Sequence, residues 1–200
     1  MKRVIVYVDG FNLYFGLRSK YPYLKWLNLR KLSQTLIYNH QELKAIKYFT
    51  ARINNDPAKQ KRQSIYIDAL ENEGIEVIYG KYQDNIVTCK RCGSKWSDPN
   101  EKMTDVNIAT AMLFDATHDY FDVALLISGD SDLTPPLNII KNHYLNKMVL
   151  VAFPPNRHNN TIAAAAKASF SLGRAKLAQA QFDSSITLKN GYTITKPSTW

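Results

Sequence analysis

The chain has 200 residues, of which 45% are hydrophobic and 22% are charged, and its net charge at pH 7 is +9. That length suits one sizeable core, and no apolar run approaches the length of a membrane span, so we expect a single cytoplasmic domain without a membrane segment. The pI of about 9.4 lies in the range expected of nucleic-acid-binding proteins, and the two cysteines exclude a disulfide framework.

The first predicted strand covers residues 4–8, whose sequence is typical of a buried strand in a parallel sheet. It ends in Asp9 and Gly10, which deliver a carboxylate to the edge of the core. Asn12 opens an amphipathic segment that reaches Leu17. The Asn12 amide either caps a helix or orients whatever Asp9 holds.

Helices and strands then alternate, as in a doubly wound sheet. The predicted elements are a helix over residues 28–38, a strand over 42–51, a helix over 56–73 and a strand over 75–80. The second of these helices carries Lys59, Lys61 and Arg62. This basic face either meets phosphates or, as is the default for such a helix, is solvated surface.

Residues 81–102 interrupt the alternation as an irregular insertion. They include Cys89 and Cys92 in a Cys-x-x-Cys-Gly motif, which looks like half of a zinc site, although four-coordinate zinc needs two further ligands. The alternative is a plain hairpin with free thiols. A thioredoxin-like redox role is disfavoured, because that motif should open a helix and Gly93 follows this one.

We expect the insertion to grip the substrate. Its basic residues can neutralise phosphates, and Tyr82 and Trp96 offer planar faces on which unpaired bases stack, worth about 1–3 kcal/mol per base. The basic residues are Lys81, Lys90, Arg91, Lys95 and Lys102. The alternative is that Trp96 fills a small local core while the charges are only solvated.

A helix is predicted from residue 103 past residue 114. Its apolar stripe, at three- and four-residue spacing, consists of Val106, Ala109, Leu113 and Ala116. Asp105 lies in the first turn and leans towards the sheet. The alternative is a carboxylate that only favours the positive end of the helix, typically worth ~0.3–1 kcal/mol.

The strand predicted over residues 123–127 is uninterrupted apolar sequence and leads through Ser128-Gly129 to Asp130 and Asp132. A helix follows over residues 133–143, with two prolines tolerated only in its first turn. The aspartates therefore lie at the carboxyl end of a strand, where open α/β sheets bind ligands. One of them could cap the helix, but capping does not explain both.

The rest of the chain is predicted to complete the core and add a tail. A strand covers residues 147–153, and a small helix covers residues 160–168, where the core sheet is complete. From residue 184, alternating apolar residues flank Asn190-Gly191, which predicts a hairpin with a type I′ turn. The main domain is thus residues 1–180, and residues 181–200 form a tail that docks on the domain or on a partner.

Asp9 and Asp130 should emerge at the same edge of a parallel sheet, and the helix of Asp105 should begin near that edge. Converging carboxylates repel each other and raise each other's pKa values, so bound cations explain such a cluster best. All-oxygen ligation favours Mg²⁺ or Mn²⁺, and hydrolysis of a phosphodiester follows from the chemistry of those metals.

Three motifs carry a resemblance to a known family, namely Asp9-Gly-Phe-Asn12, Lys102-Met-Thr-Asp105 and Ser128-Gly-Asp-Ser-Asp132. In order and spacing they resemble the NYN domain, a branch of the PIN-like nuclease superfamily that includes LabA-like bacterial proteins. The resemblance covers about residues 3–170. The Cys-x-x-Cys-Gly insertion and the hairpin that ends at residues 197–200 also look like features of many bacterial members.

The resemblance implies a three-layer α/β/α sandwich with a mostly parallel sheet, in which residues 1–180 form the catalytic domain. It also implies a ribonuclease whose Mg²⁺ or Mn²⁺ site is carried by Asp9, Asp105, Asp130 and Asp132. Asn12 would orient Asp9 or the substrate, and Lys102 would contact a phosphate or a carboxylate. PIN-like enzymes often have a glutamate in place of Asp105, so direct and water-mediated metal binding both stay open.

The leading prediction is a metal-dependent ribonuclease that acts on single-stranded or structured RNA. The alternative is a non-catalytic or partner-dependent RNA-binding regulator, and the full set of acids favours the enzyme. A haloacid-dehalogenase-type phosphatase is disfavoured because its first strand should end in Asp-x-Asp, and a dinucleotide-binding enzyme because no G-x-G-x-x-G follows that strand. The number of metals, endo- or exonuclease action and homo-oligomer formation stay open.

Overall fold

The structure is a computed structural model that describes residues 1–53 and 56–200, with the backbone alone described for residues 82–86 and 96–101. The strands are β1 (Lys2–Asp9), β2 (Gln41–Thr50), β3 (Glu76–Tyr79), β4 (Lys81–Thr88), β5 (Lys95–Lys102), β6 (Val123–Ile127), β7 (Met148–Phe153), β8 (Ala168–Ser171), β9 (Ser185–Thr187) and β10 (Thr193–Thr195). The helices are α1 (Gly10–Lys20), α2 (Leu29–Leu36), α3 (Pro57–Asn72), α4 (Thr104–Thr117), α5 (Thr134–His143), α6 (Asn160–Ala165) and α7 (Arg174–Gln179). In the described part of the chain, none of these helices combines the length and the apolar character that crossing a bilayer requires.

A six-stranded parallel sheet forms the middle of the molecule, in the order β3-β2-β1-β6-β7-β8. The order reverses between β1 and β6, because the chain builds outward to β3 on one side and to β8 on the other. This reversal is the topological switch point of a doubly wound sheet, beyond which open α/β sheets bind their ligands. The predicted mostly parallel central sheet is confirmed.

Helices cover both faces of the sheet and complete the three-layer sandwich. One core contains side chains of α1, α2, α3 and α7, and the other contains side chains of α4, α5 and α6. Along β1, Val4, Val6 and Val8 belong to the first core, whereas Ile5 and Tyr7 belong to the second. Both faces of the strand are buried, which explains why its sequence lacks apolar–polar alternation.

The far edge of the sheet differs from the prediction. α6 stops at Ala165, and Ala168–Ser171 pairs with β7 as a sixth strand, so the sheet is not complete at β7. All four residues of β8 are exposed. This edge strand therefore lacks the apolar pattern that marks the buried strands in the sequence.

The insertion over residues 81–102 is a regular antiparallel hairpin, so the prediction of an irregular segment is wrong. β4 and β5 pair from Lys81 opposite Lys102 to Thr88 opposite Lys95. Their polar sequence, and a proline within β5, conceal both strands. The hairpin begins just after β3 ends and leads into α4, so its base lies at the carboxyl edge of the sheet.

The tail forms the hairpin of β9 and β10 and packs on the first core. Ile194 is buried there, and the Trp26 indole NH donates to the Asp183 carbonyl (2.8 Å). The predicted type I′ turn is wrong. That turn needs a positive φ at both Asn190 and Gly191, and only Gly191 has one (83°). The turn is a type I turn followed by a left-handed glycine, a conformation that glycine adopts without strain.

The buried stripe of α4 shares only Ala116 with the predicted one. Ile108, Met112 and Ala116 are buried, whereas Val106 is 63% exposed. Both stripes have helical spacing, and α4 carries apolar residues on both, so spacing alone does not distinguish them. Asp105 precedes Ile108 by three residues, which places it on the side of α4 that meets the sheet.

Candidate metal centre

Three carboxylates converge at the switch point of the sheet. Asp9 ends β1, Asp130 follows β6, and Asp105 lies in the first turn of α4. One oxygen from each carboxylate lies within 4.8 Å of the other two. Asp9 is 4% exposed, and the other two are half-buried. Each of the three sequence motifs thus contributes one acid to a single group.

Both oxygens of Asp9 are held in place. Oδ1 accepts a hydrogen bond from the Asn12 backbone NH (2.9 Å), which makes Asp9 the N-cap of α1. Oδ2 accepts from the Ser128 hydroxyl (2.8 Å). A Cβ at Gly10 would lie 2.6 Å from the Phe49 carbonyl oxygen, so the tight passage from β1 into α1 beside β2 requires glycine.

The loop after β6 is tied to β1 and α1 through Ser128 and Asn12. Ser128 is fully buried, and its hydroxyl accepts from the Asp130 NH (3.0 Å) while it donates to Asp9. The Asn12 side-chain oxygen accepts from the Gly129 NH (3.0 Å). The Asn12 side chain therefore positions the loop that carries Asp130. Sequence reasoning missed Ser128, for which the only signal is its place between an apolar strand and Gly129.

Asp132 lies outside the group of three. Its side chain is exposed, and its backbone NH donates to Oδ1 of Asp130 (3.0 Å). Asp130 is the N-cap of the 3₁₀ turn Ser131–Leu133 and also belongs to the cluster. Capping and clustering, which the sequence presents as alternatives, thus occur together in one residue.

The segment after β7 encloses the site from the other side. A Cβ at Gly129 would overlap the Arg157 carbonyl oxygen, and a Cβ at Gly16 would lie 2.8 Å from the Pro154 side chain. Both glycines are required by the close approach of another backbone segment. Sequence reasoning missed this contact, which joins distant parts of the chain and has no local signal.

A comparison with known families identifies the family of the chain. The family model of the NYN domain matches residues 3–172. The chain belongs to the NYN domain family. The resemblance carried by the three sequence motifs is therefore confirmed.

Two known proteins are similar to this NYN domain. The 6-hydroxy-3-succinoylpyridine 3-monooxygenase HspA of Pseudomonas putida is 30% identical over 176 residues, which cover 70% of this chain and 56% of that protein. The chain thus spans little more than half the length of this relative. The crystal structure of a protein of unknown function from Vibrio parahaemolyticus has a TM-score of 0.57 at 23% identity, and the match covers 86% of this chain and 94% of that chain. That likeness shows a shared fold.

The donor set of the NYN domain fits a hard divalent cation. Carboxylate oxygens are preferred ligands of Mg²⁺ and Mn²⁺. Two opposed Mg–O bonds of about 2.1 Å span about 4.2 Å, which is close to the 4.8 Å that encloses the three oxygens. The charge of the site reaches Tyr48, whose pKa is raised mainly by burial and further by the Asp9 carboxylate.

The hairpin of β4 and β5 presents its basic residues to solvent. Lys90, Arg91 and Lys95 are exposed around its turn, and Lys102 is exposed at its base. The side chain of Trp96 lies outside the described residues, as does that of Tyr82. The phosphate-binding and base-stacking roles of the hairpin stay predictions.

Cys89 and Cys92 are free thiols in the hairpin turn. The Cys92 sulfur lies 3.0 Å from the Ser94 hydroxyl, and hydrogen bonds with Ser94 lower the pKa of Cys92 to about 7. Within the described residues, neither cysteine joins a group of three potential metal ligands. Zinc binding here stays a prediction that requires ligands from elsewhere.

Proposed function

We propose that this NYN domain is a metal-dependent ribonuclease that hydrolyses phosphodiester bonds of single-stranded or structured RNA. The observation that carries the proposal is the convergence of Asp9, Asp105 and Asp130 at the switch point. Membership of a nuclease-like family and the net charge of +9, which favours a polyanionic partner, support it. The activity is assigned to residues 1–180, with residues 181–200 as a docked tail.

Asp9, Asp105 and Asp130 would hold Mg²⁺ or Mn²⁺, which when bound lowers the pKa of a water and neutralises charge on a phosphate. The contribution of the chain itself is preorganisation. Ser128 fixes Asp9 and the Asp130 backbone together, and Asn12 fixes the intervening Gly129. Asp9 and the loop of Asp130 are therefore positioned before RNA arrives, which is what a site of this kind requires.

The hairpin would extend the RNA-binding surface away from the acids. Lys102 precedes Asp105 by three residues and is exposed, so it would contact a phosphate next to the scissile bond. Lys90, Arg91 and Lys95 would contact phosphates farther along the strand, because they lie at the opposite end of β4 and β5. Phosphate contacts of this kind add affinity without sequence preference.

Cleavage of a mixed RNA pool by the purified protein tests the proposal. We expect cleavage with Mn²⁺ or Mg²⁺, none with EDTA, and none by Asp130→Asn. Asp132→Asn is the matched control, since it neutralises an exposed carboxylate two residues away that lies outside the group. It should retain more cleavage than Asp130→Asn. RNA binding without cleavage under every metal would instead support a non-catalytic RNA-binding protein.

A further inference from the structure

A cavity of about 370 Å³ lies between α1, α3 and the C-terminal tail. Its volume is within the range of small-molecule sites, at the lower end. The residues that line it include aromatic rings, among them Tyr14, Tyr48 and Trp200, together with aliphatic side chains, charged groups and a few polar groups such as that of Thr50. Neither the acidic cluster nor the predicted hairpin surface includes these residues.

The excess of positive charge in the cavity favours an anionic ligand. Its lining contains four cations and one carboxylate, namely Arg18, Lys25, Lys59, Arg62 and Asp56. Asp56 is already engaged, because it caps α3 and pairs with Lys59 (3.1 Å). Arg18, Lys25 and Arg62 therefore provide the excess positive charge, in a concave site where a bound anion would stabilise all three.

The Lys25 ammonium lies beside two aromatic rings of the cavity. It lies 5.6 Å from the centroid of the Trp200 ring and 6.0 Å from that of Tyr14. Burial lowers the pKa of Lys25, and the positive charges of Arg62 and Arg18 lower it further. A phosphate between these side chains would reverse that effect and favour the charged amine.

The aromatic part of the cavity suits a planar group. Trp200 packs edge-on against Trp26 (6.3 Å between centroids) and Tyr66 (5.3 Å). Tyr48 packs edge-on against Tyr66 (6.1 Å). Rings held in this way by their neighbours lose little entropy when a base stacks on them, and every base has a face for such stacking.

The cavity adjoins the acidic cluster. Gly10 lines the cavity and follows Asp9 directly, and Tyr48 lines it while it also experiences the charge of Asp9. The cavity lies on the β2 side of Asp9, whereas Ser128 and the Asp130 loop lie on the β6 side. The cavity is therefore connected to the acidic cluster through Asp9, at the end of β1.

We propose that the cavity binds one nucleotide of the RNA, with its base against the aromatic rings and its phosphate against Lys25, Arg18 and Arg62. The next phosphodiester then reaches Asp9, Asp105 and Asp130. This assignment rests on the proposed ribonuclease function and names the subsite that places the scissile bond. It also gives a role to Arg62 on the basic face of α3. From the sequence alone, that face either contacts phosphates or is solvated surface.

Titration calorimetry of the full chain with uridine 5′-monophosphate in EDTA tests the cavity without any cleavage. Uridine, inorganic phosphate and pyridine-3-carboxylate are the comparison ligands, because each carries only part of the proposed chemistry. We expect the monophosphate to bind more tightly than all three. Tighter binding of pyridine-3-carboxylate would overturn the proposal in favour of a small aromatic acid, and equal binding of phosphate would leave the rings without a role.

The variant Lys25→Gln with Arg62→Gln should weaken binding of uridine 5′-monophosphate about tenfold or more. It should also lower the log–log salt slope for single-stranded RNA by at most about 0.7, since both side chains contact the same phosphate and each phosphate contact contributes about 0.7. Lys31→Gln with Lys167→Gln is the matched control, which removes the same charge from exposed positions outside the cavity and should leave monophosphate affinity unchanged. If both double variants bind the monophosphate like the wild type, the cavity is not the site.

A replacement variant and the combination of monophosphate binding with RNA cleavage distinguish the remaining outcomes. If the cavity variant fails to unfold cooperatively, Arg18→Gln, at an exposed cation of the cavity rim, is used in its place. Cleavage of RNA by a protein that does not bind the monophosphate would overturn the cavity assignment alone. Monophosphate binding without cleavage under any metal would uphold the nucleotide site and overturn the ribonuclease.

Discussion

Acidic residues lie at both ends of the central strands, but in opposite settings. At the amino end, Asp122 accepts hydrogen bonds from the Arg3 backbone NH (2.6 Å) and guanidinium (2.8 Å). Asp119 pairs there with Arg3 (2.9 Å) and with Lys147. The pKa of Asp122 is lowered to about 2, mainly by its hydrogen bond with Arg3. Each of these acids thus strengthens the fold by meeting a cation.

At the carboxyl end, acids meet other acids. One oxygen from each of Asp9, Asp105 and Asp130 lies within 4.8 Å of the other two, and like charges at that distance repel one another. The same residue type therefore stabilises one end of the sheet and strains the other. Clustering against electrostatic cost is characteristic of functional sites, so the contrast separates acids that hold the fold from the acids of the proposed metal site.

Asp115 is a third kind of acid, which is buried and paired with a cation, and its replacement should have the largest effect on the free energy of unfolding. Asp115, on the same helix as Asp105, is 1% exposed and accepts from Lys47 (2.7 Å) and from the Tyr7 hydroxyl (2.6 Å). Asp115→Ala leaves the half-buried Lys47 and the buried Tyr7 hydroxyl without their partner, which should cost about 3–5 kcal/mol in the free energy of unfolding. Tyr7→Phe keeps the ion pair and should cost less, about 1.5–3 kcal/mol. Urea denaturation measures both, and equal costs would argue against the ion pair as the main contribution.

Asp9→Asn should break the carboxyl end without harming the fold. Cleavage should fall at least about 100-fold, since even residues that only orient metal ligands are worth 10–100-fold. Asparagine is as good an N-cap as aspartate, and loss of one charge relieves repulsion, so the thermal midpoint should stay or rise. Asp119→Asn is the control from the amino end and should show the reverse, with cleavage kept and the midpoint lowered. Loss of both properties in Asp9→Asn would make Asp9 a structural acid.

Asn12→Ala tests whether the acids need a positioned loop. It removes the acceptor of the Gly129 NH, which should lower the cleavage rate about 10–100-fold. Because the three carboxylates remain, part of the rate should return at higher Mn²⁺ concentration. An unchanged rate, or a loss that Mn²⁺ does not restore, would show that Asn12 does not act through the metal ligands.

The pH dependence of stability gives the smallest expected effect and reports on the amino end. Because the pKa of Asp122 is depressed in the folded protein, its contribution is complete above its ordinary pKa of about 3.9 and disappears as the pH falls towards 2. Asp122→Asn should therefore lower the urea midpoint at pH 7 and reduce the loss of stability between pH 4 and 2. If the stability of the wild type and of the variant falls in parallel between pH 4 and 2, Asp122 does not contribute to this pH dependence.

Local sequence patterns account for much of the fold. The apolar runs of β1 and β6 indicate buried parallel strands. The acids that directly follow these runs indicate the carboxyl edge of the sheet. β8 escapes prediction because all of its residues are exposed, and β4 and β5 because polar residues and a proline hide them. The register of these strands is set by neighbours that no local window contains.

The site follows the same division. The three motifs single out Asp9, Asp105 and Asp130, but the choice between Asp130 and Asp132 depends on the course of one 3₁₀ turn. Ser128 and the Gly129 contact with Arg157 depend on how β6 and β7 lie side by side. The cavity requires the tail to reach α1 and α3, which alternation of apolar residues in a hairpin does not specify.

The glycines beside the acids have a consequence for how the proposed ribonuclease activity can be lost during evolution. A side chain at position 10 would collide with the Phe49 carbonyl, and one at position 129 would collide with the Arg157 carbonyl, so either substitution displaces the backbone that carries an acid. Mutations at these two positions would abolish the proposed cleavage although all three carboxylates are retained. Relatives that keep all three aspartates but replace either glycine are therefore candidates for inactive copies.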